Sequence, residues 1–215
     1  MRTRVILLLL IAAFLMHSGM YAPSASEDTQ EDFEVMAHEQ RTYGKPNPDA
    51  PRQLSQFAFL IGKWRCDSKV KGKDGVFETH PATWTGRYIL DGYVIADEFR
   101  QMGPGGELIQ LGQNYRSFDT DKNAWVMKWH DALASTWLDL GPEELGGVLI
   151  DDTSITFMHY VPERLAGKLF PPHTLFRLTF SDISENHFTW RAEISTDGEE
   201  TWDEVQVIEA YRMKD

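Results

Sequence analysis

The chain has 215 residues, 33 acidic against 21 basic side chains, a formal net charge of −12 and a single cysteine, Cys66. Such a surface repels phosphate backbones and anionic lipid, so nucleic acid is not an expected partner and adsorption to anionic membranes is disfavoured. One cysteine closes no internal disulfide, so the core, drawn from a chain that is 42% hydrophobic, must hold the fold by itself.

Arg2 and Arg4 precede an apolar run from Val5 to Met16, and the small residues Ser24-Ala25-Ser26 stand just before the acidic Glu27-Asp28. That is the layout of a secretory signal peptide. Residues 1–26 are read as that signal, cleaved near Glu27, and the mature chain as periplasmic or extracellular. The apolar run is too short to stay in a bilayer comfortably as a spanning helix, so no stable membrane insertion is expected after cleavage. Its removal takes two arginines and no acid, which leaves a net charge of −14. Residues 27–51 are acidic and then rich in Pro, Asn and Asp, with Pro46, Pro48 and Pro51 close together. They read as a flexible leader.

Residues 52–215 form the expected folded domain. Arg52 to Leu60 is long enough for about two helical turns, with Leu54, Phe57 and Phe59 or Leu60 placed to cap the end of a barrel. Beyond Gly62, turn signals recur at short intervals: Gly72 to Gly75, Asp91-Gly92, Gly103 to Gly106, Asp119 to Asn123, Gly141-Pro142, Asp151-Asp152, Pro171-Pro172, Ser184 to Asn186 and Asp197-Gly198. The runs between them are rich in Trp, Tyr, Phe, Val, Ile and Thr, and no helical period competes. Many short, evenly punctuated strands mean an antiparallel sandwich or a closed barrel. No fixed-period repeat and no second domain are evident. Cys66, in an alternating run after Trp64 and without a neighbouring His or C-x-x-C partner, reads as a core thiol rather than a reactive one.

Trp190 to Trp202 reads as a β-hairpin around Asp197-Gly198. This segment is similar to the "DG-x-x-TW" hairpin near the C-terminus of bacterial DUF1579-type proteins. The likeness extends upstream in order: Phe59-Leu60-Ile61-Gly62-Lys63-Trp64 resembles the family's opening segment, Ile89-Leu90-Asp91-Gly92 its "ILDG" turn, and Tyr115-Arg116-Ser117-Phe118-Asp119 with Trp125 and Trp129-His130-Asp131 its "R-x-[YF]-D … W … W-x-D" run. The resemblance covers roughly Phe57 to Arg212. It implies an all-β, antiparallel up-and-down lipocalin-like barrel of roughly ten strands behind a short N-terminal helix. It implies no reaction, because the family is functionally uncharacterised.

Alternation along the strands gives candidate faces. Trp125, Met127, Trp129 and Asp131 share one side, and Gly112, Asn114, Arg116 and Phe118 share another. With the family-like positions turned inward, Glu98, Asn114, Arg116 and Asp131 approach one another inside the barrel, Arg116 pairing with Glu98 or Asp131. Trp84 and Trp129 complete an expected ligand-binding set of Trp84, Glu98, Asn114, Arg116, Trp129 and Asp131. Such a cluster serves either a small-molecule site or the register of the strands alone.

Among the histidines, His80, His130, His159, His173 and His187 lie on or beside expected strands. Gly62-Lys63-Trp64 is similar to the "G-x-W" opening of nitrobindins, related barrels that use a histidine to hold haem. Neither H-E-x-x-H nor the Cys/His spacing of a zinc site is present, so no metal and no cofactor is expected. G-x-S-x-G, P-loop and G-x-G-x-x-G patterns are also missing, and no catalytic residue is assigned. The sequence therefore describes an exported barrel, monomeric or weakly dimeric, that binds a small apolar or amphipathic molecule. Two rivals stand beside it: an isomerase, cyclase or hydrolase built on the internal Arg-carboxylate cluster, and a structural or interaction module whose barrel is filled.

Overall fold

Leu54, Phe57 and Leu60 recur at every third residue, the spacing that aligns side chains on one edge of a 3₁₀ helix. In the computed structural model, Arg52–Leu60 is such a helix and those three residues are its buried ones. The structure describes residues 43–162, 166–167 and 170–214. The expected signal peptide and the leader up to residue 42 lie outside the described residues. Of that leader, the part from Tyr43 is tied to the barrel: the Tyr88 amide donates to the Tyr43 carbonyl at 2.7 Å and the Asn47 amide to the Gly92 carbonyl at 3.2 Å.

The rest is strand and turn. The strands are β1 (Gly62–Lys71), β2 (Phe77–Ile89), β3 (Val94–Met102), β4 (Leu108–Asp119), β5 (Ala124–Asp131), β6 (Thr136–Leu140), β7 (Val148–Ile150), β8 (Ser154–Tyr160), β9 (Leu175–Ser181), β10 (His187–Ser195) and β11 (Asp203–Arg212). They form one sheet in the order β6-β5-β4-β3-β2-β1-β11-β10-β9-β8-β7, so each strand lies beside its neighbours in sequence, β6 and β7 at the two ends excepted, and β1 joins β11. All the pairings are antiparallel. This is the expected up-and-down barrel.

The two ends of that order meet along one stave. β6 pairs with β5 as far as Leu140 opposite Met127, and β7 takes up with β8 at Val148 opposite Phe157. Between them the Gly141 amide donates to the Met158 carbonyl at 2.8 Å. Residues 142–147 are thus extruded from a single broken stave, which gives eleven strands where roughly ten were expected. The turn between β5 and β6 carries neither Gly nor Pro, and Ser135 takes the positive φ of 53° there.

The hairpin of β10 and β11 is present, with a connection wider than an Asp-Gly pair, since Ile194 faces Asp203. Asp197 organises it by accepting bonds from the Ser195 hydroxyl at 2.8 Å and the Thr201 amide at 3.0 Å. These bonds, those of Thr201 foremost, draw its carboxyl down to about 2.

The 3₁₀ helix closes one end. Phe57 sits edge-on to Trp125 at 4.7 Å, and the Trp64 indole donates to the Leu60 carbonyl at 3.1 Å. The Arg212 guanidinium lies 4.0 Å from the Trp64 ring centre and donates to the Ile61 and Phe59 carbonyls at 2.7 and 3.1 Å, satisfying groups a helix end leaves open. Gly62, at φ +112°, makes this approach possible, because a Cβ there would stand 2.6 Å from Arg212 Nη1. Cys66 is buried in this core, where loss of solvent pushes its thiol up to about 12, the state of an inert core thiol.

Candidate functional site

The inward faces follow from register. Trp84 lies opposite Phe99, Gly86 opposite Asp97, Asp97 opposite Asn114, and Arg116 opposite both Ile95 and Met127. Asp97 and not Glu98 therefore enters the barrel beside Arg116. Arg116 Nε donates to Asp97 Oδ2 at 2.8 Å and Nη2 to Oδ1 at 3.3 Å. Asn114 Nδ2 and Trp84 Nε1 donate to the same Oδ1 at 2.8 and 2.7 Å. Phe57 and Phe180 lie 4.8 and 5.6 Å from the guanidinium. The paired side chains are 1% and 0% exposed, so neither water nor a substrate reaches them in this state. A buried charge pair so completely bonded fixes the positions of β2, β3 and β4, and removing one partner of such a pair costs about 3–5 kcal/mol.

Two expected members of the site lie elsewhere. Glu98 is on the outer face, its side chain 39% exposed and 3.7 Å from Arg100. Asp131 pairs with Gly112, four residues along β4 from Arg116 or about 13 Å at the rise of a strand, and its Oδ1 accepts the Ala134 amide at 2.9 Å to start the β5–β6 turn. The structure thus joins Trp84, Asn114 and Arg116 around Asp97 and leaves Glu98 and Asp131 out. Trp129 lies one layer further from the helix, its ring over Gly112, where a Cβ would come within 2.1 Å of the indole.

The half of the barrel away from the 3₁₀ helix has a different wall. Near the helix the inward Trp64, Ile95, Phe180 and Phe188 are fully buried. Further from the helix, on β5, β6, β9 and β10, the inward Trp129, Leu138, Phe176, Trp190 and Ile194 stay partly exposed. On β1, β2, β3 and β8 the inward Ser68, His80, Gln101 and His159 of that half are buried, so the solvent access belongs to the β5, β6, β9 and β10 walls. Polar groups outside the expected ligand-binding set also face this half: Ser68, Gln101 and Gln206, joined by hydrogen bonds of 2.9 to 3.1 Å, and His80 opposite Ser68. Their signal was available in the phase of Ser68 with Trp64 and of His80 with Trp84.

Two clefts flank the broken stave. One, of about 730 Å³, is bordered by Thr136, Trp137, Leu138, Tyr160 and Val161; the other, of about 960 Å³, by Phe118, Trp125, Met127, Leu140 and Val148. Neither is lined by Asp97 or Arg116. Thr136 and Leu138 belong to both the first cleft and the inner wall, and Thr136 Oγ1 is buried without a hydrogen-bond partner among the described residues.

The histidines divide by face. His130 stacks on Trp137 on the outer side at 4.5 Å, and His187 bonds Glu209 at 2.9 Å. His173 sits in the turn before β9 with φ 66°. His159 points inward, stacked on Phe176 at 5.0 Å with Nδ1 2.8 Å from the Tyr160 carbonyl, and burial lowers its pKa. Among the described residues no group of three or more His, Cys, Asp or Glu is arranged to hold a metal, and no helix is long and apolar enough to cross a membrane.

No protein-family model matches the chain, and no curated protein does. Its fold is similar to the crystal structure of Rv2717c from M. tuberculosis, with a TM-score of 0.53 at 8% identity over 77% of this chain and 100% of that one. The structure of EF1p2_mFAP2b bound to DFHBI aligns with a TM-score of 0.37 at 11% identity, over 73% of this chain and 96% of that one. The first likeness is one of fold, and at that identity no site residue is carried across.

Proposed function

We propose that this is an exported, monomeric or weakly dimeric β-barrel of the DUF1579 type that binds a small apolar or amphipathic molecule in the half of the barrel away from the 3₁₀ helix. The observation that supports the reading is the contrast along β5, β6, β9 and β10: inward aromatic and aliphatic side chains are sealed beside the helix, and Trp129, Leu138, Phe176 and Trp190 beyond it are partly exposed. An apolar wall with a few convergent polar groups is the usual form of a small-molecule site. Asp97 and Arg116 serve this site as its rigid floor and not as its chemistry, which removes the support for an enzyme built on that pair.

Native mass spectrometry of protein purified from the periplasmic or extracellular fraction tests the reading. A non-covalent small-molecule adduct, lost when Trp129 and Trp190 are replaced by alanine, is expected. A chain that carries no adduct and takes up no apolar probe contradicts it and favours the filled module.

A further inference from the structure

We propose that Ser68, Gln101 and Gln206 are the polar anchor of this site and that it selects an uncharged hydrogen-bonding end, such as an amide or alcohol, on an apolar body. The inference rests on the unfilled half being the binding site. The three residues come from β1, β3 and β11, so they converge only through the fold. Gln101 faces Ala82 across β3 and β2, and that single methyl leaves room for the glutamine to cross β2 and accept from the Ser68 hydroxyl at 3.0 Å. Gln206 Nε2 donates to Ser68 Oγ at 2.9 Å and to Gln101 Oε1 at 3.1 Å. Gln101 is only 2% exposed and Ser68 fully buried, while Gln206 is partly exposed at the inner end of the cluster. None of these three bonds uses the Gln101 amide donors or the Gln206 carbonyl oxygen. A donor and an acceptor side by side, both neutral, match an amide or hydroxyl group.

Charge argues the same way. Among the described residues, the cations directed to the interior are Arg116, held by Asp97, and Arg212, held over Trp64, both beside the helix. Towards the open end the ionisable groups in phase with the inner wall are His80, Glu78, whose carboxylate is 3.9 Å from His80 Nε2, Asp131, and His159, where burial disfavours the imidazolium. A carboxylate ligand would meet these acids with no unengaged cation, and burying an unpaired anion is costly.

The test compares octanamide with octanoate by isothermal titration calorimetry on the whole chain, and repeats both with Gln101→Leu/Gln206→Leu. Octanamide is expected to bind roughly tenfold more tightly than octanoate, and the double replacement to abolish that preference by weakening the amide. Octanoate binding as tightly as octanamide, or a preference unchanged by the replacement, overturns the anchor alone. Failure of the parent chain to bind either probe overturns the barrel site and the anchor with it. The parent comparison needs no variant to fold, and Gln206→Leu alone, at the partly exposed position, supplies the second arm where the double replacement does not.

Discussion

Arg116→Ala leaves the Asp97 carboxylate buried and unpaired, with a loss of about 3–5 kcal/mol expected in urea denaturation. Glu98→Ala, on the outer face, is expected to stay within about 0.5 kcal/mol. Equal effects of the two would return Glu98 to the interior. The choice between these neighbours shows where alternation stops being enough. Asp97 and Glu98 are both acidic and adjacent, so parity fixes only that one is inside. The deciding signal is the bulk two residues to either side, Ile95 and Phe99 against Ala96 and Arg100. Arg116, Asn114 and Trp84 were legible because each stands in phase with large apolar residues. Ser68 and Gln101 were legible only as polar residues in phase with Trp64 and Phe99, since nothing in local sequence says that three distant segments join them to Gln206. At His159, burial disfavours the imidazolium and its folded pKa lies below the ordinary 6.5. The unfolded chain then takes up the proton first as pH falls, so stability is full above 6.5, declines below it and levels off beneath the lowered folded value. Urea midpoints compared between pH 7.5 and 5 should show that decline shrink in His159→Gln; an unchanged pH slope would place the titration elsewhere.

At the scale of elements, the 3₁₀ helix is the piece on which the sealed half depends. Its three-residue apolar spacing was visible in the sequence, and the buried set settles the choice between Phe59 and Leu60 in favour of Leu60. Phe57→Ala removes a ring that contacts Trp125, Phe180 and the Arg116 guanidinium, and should cost about 3–5 kcal/mol. A loss under about 1 kcal/mol would mean that the helix rests on the barrel without filling it. The broken stave was only half legible. Gly141-Pro142 marked a turn, but a turn signal does not say that the chain resumes the same direction a few residues later. That information lies in the pairings of Met127 with Leu140 and of Phe157 with Val148, which are made by different partners. The β5–β6 turn escaped notice for a simpler reason: Ala132 to Ser135 has no Gly or Pro to announce it.

Across the described residues, the strands enclose one core with one barrel end closed by the chain's own helix, and the other end is the one proposed to take an occupant. Export is part of that proposal. N-terminal sequencing of protein from the periplasmic or extracellular fraction should give a start at or near Glu27, and an intact Met1 there would contradict it. The central claim, that the half away from the helix takes the ligand, is tested most directly by following the tryptophan indole N–H resonances during titration with octanamide. Trp129 and Trp190, on the partly exposed inner wall, should shift, while Trp64 and Trp125, sealed beside the helix, should stay in place. Shifts confined to the outer-face Trp137, or shifts at Trp64 and Trp125 with Trp129 and Trp190 unmoved, would contradict the account.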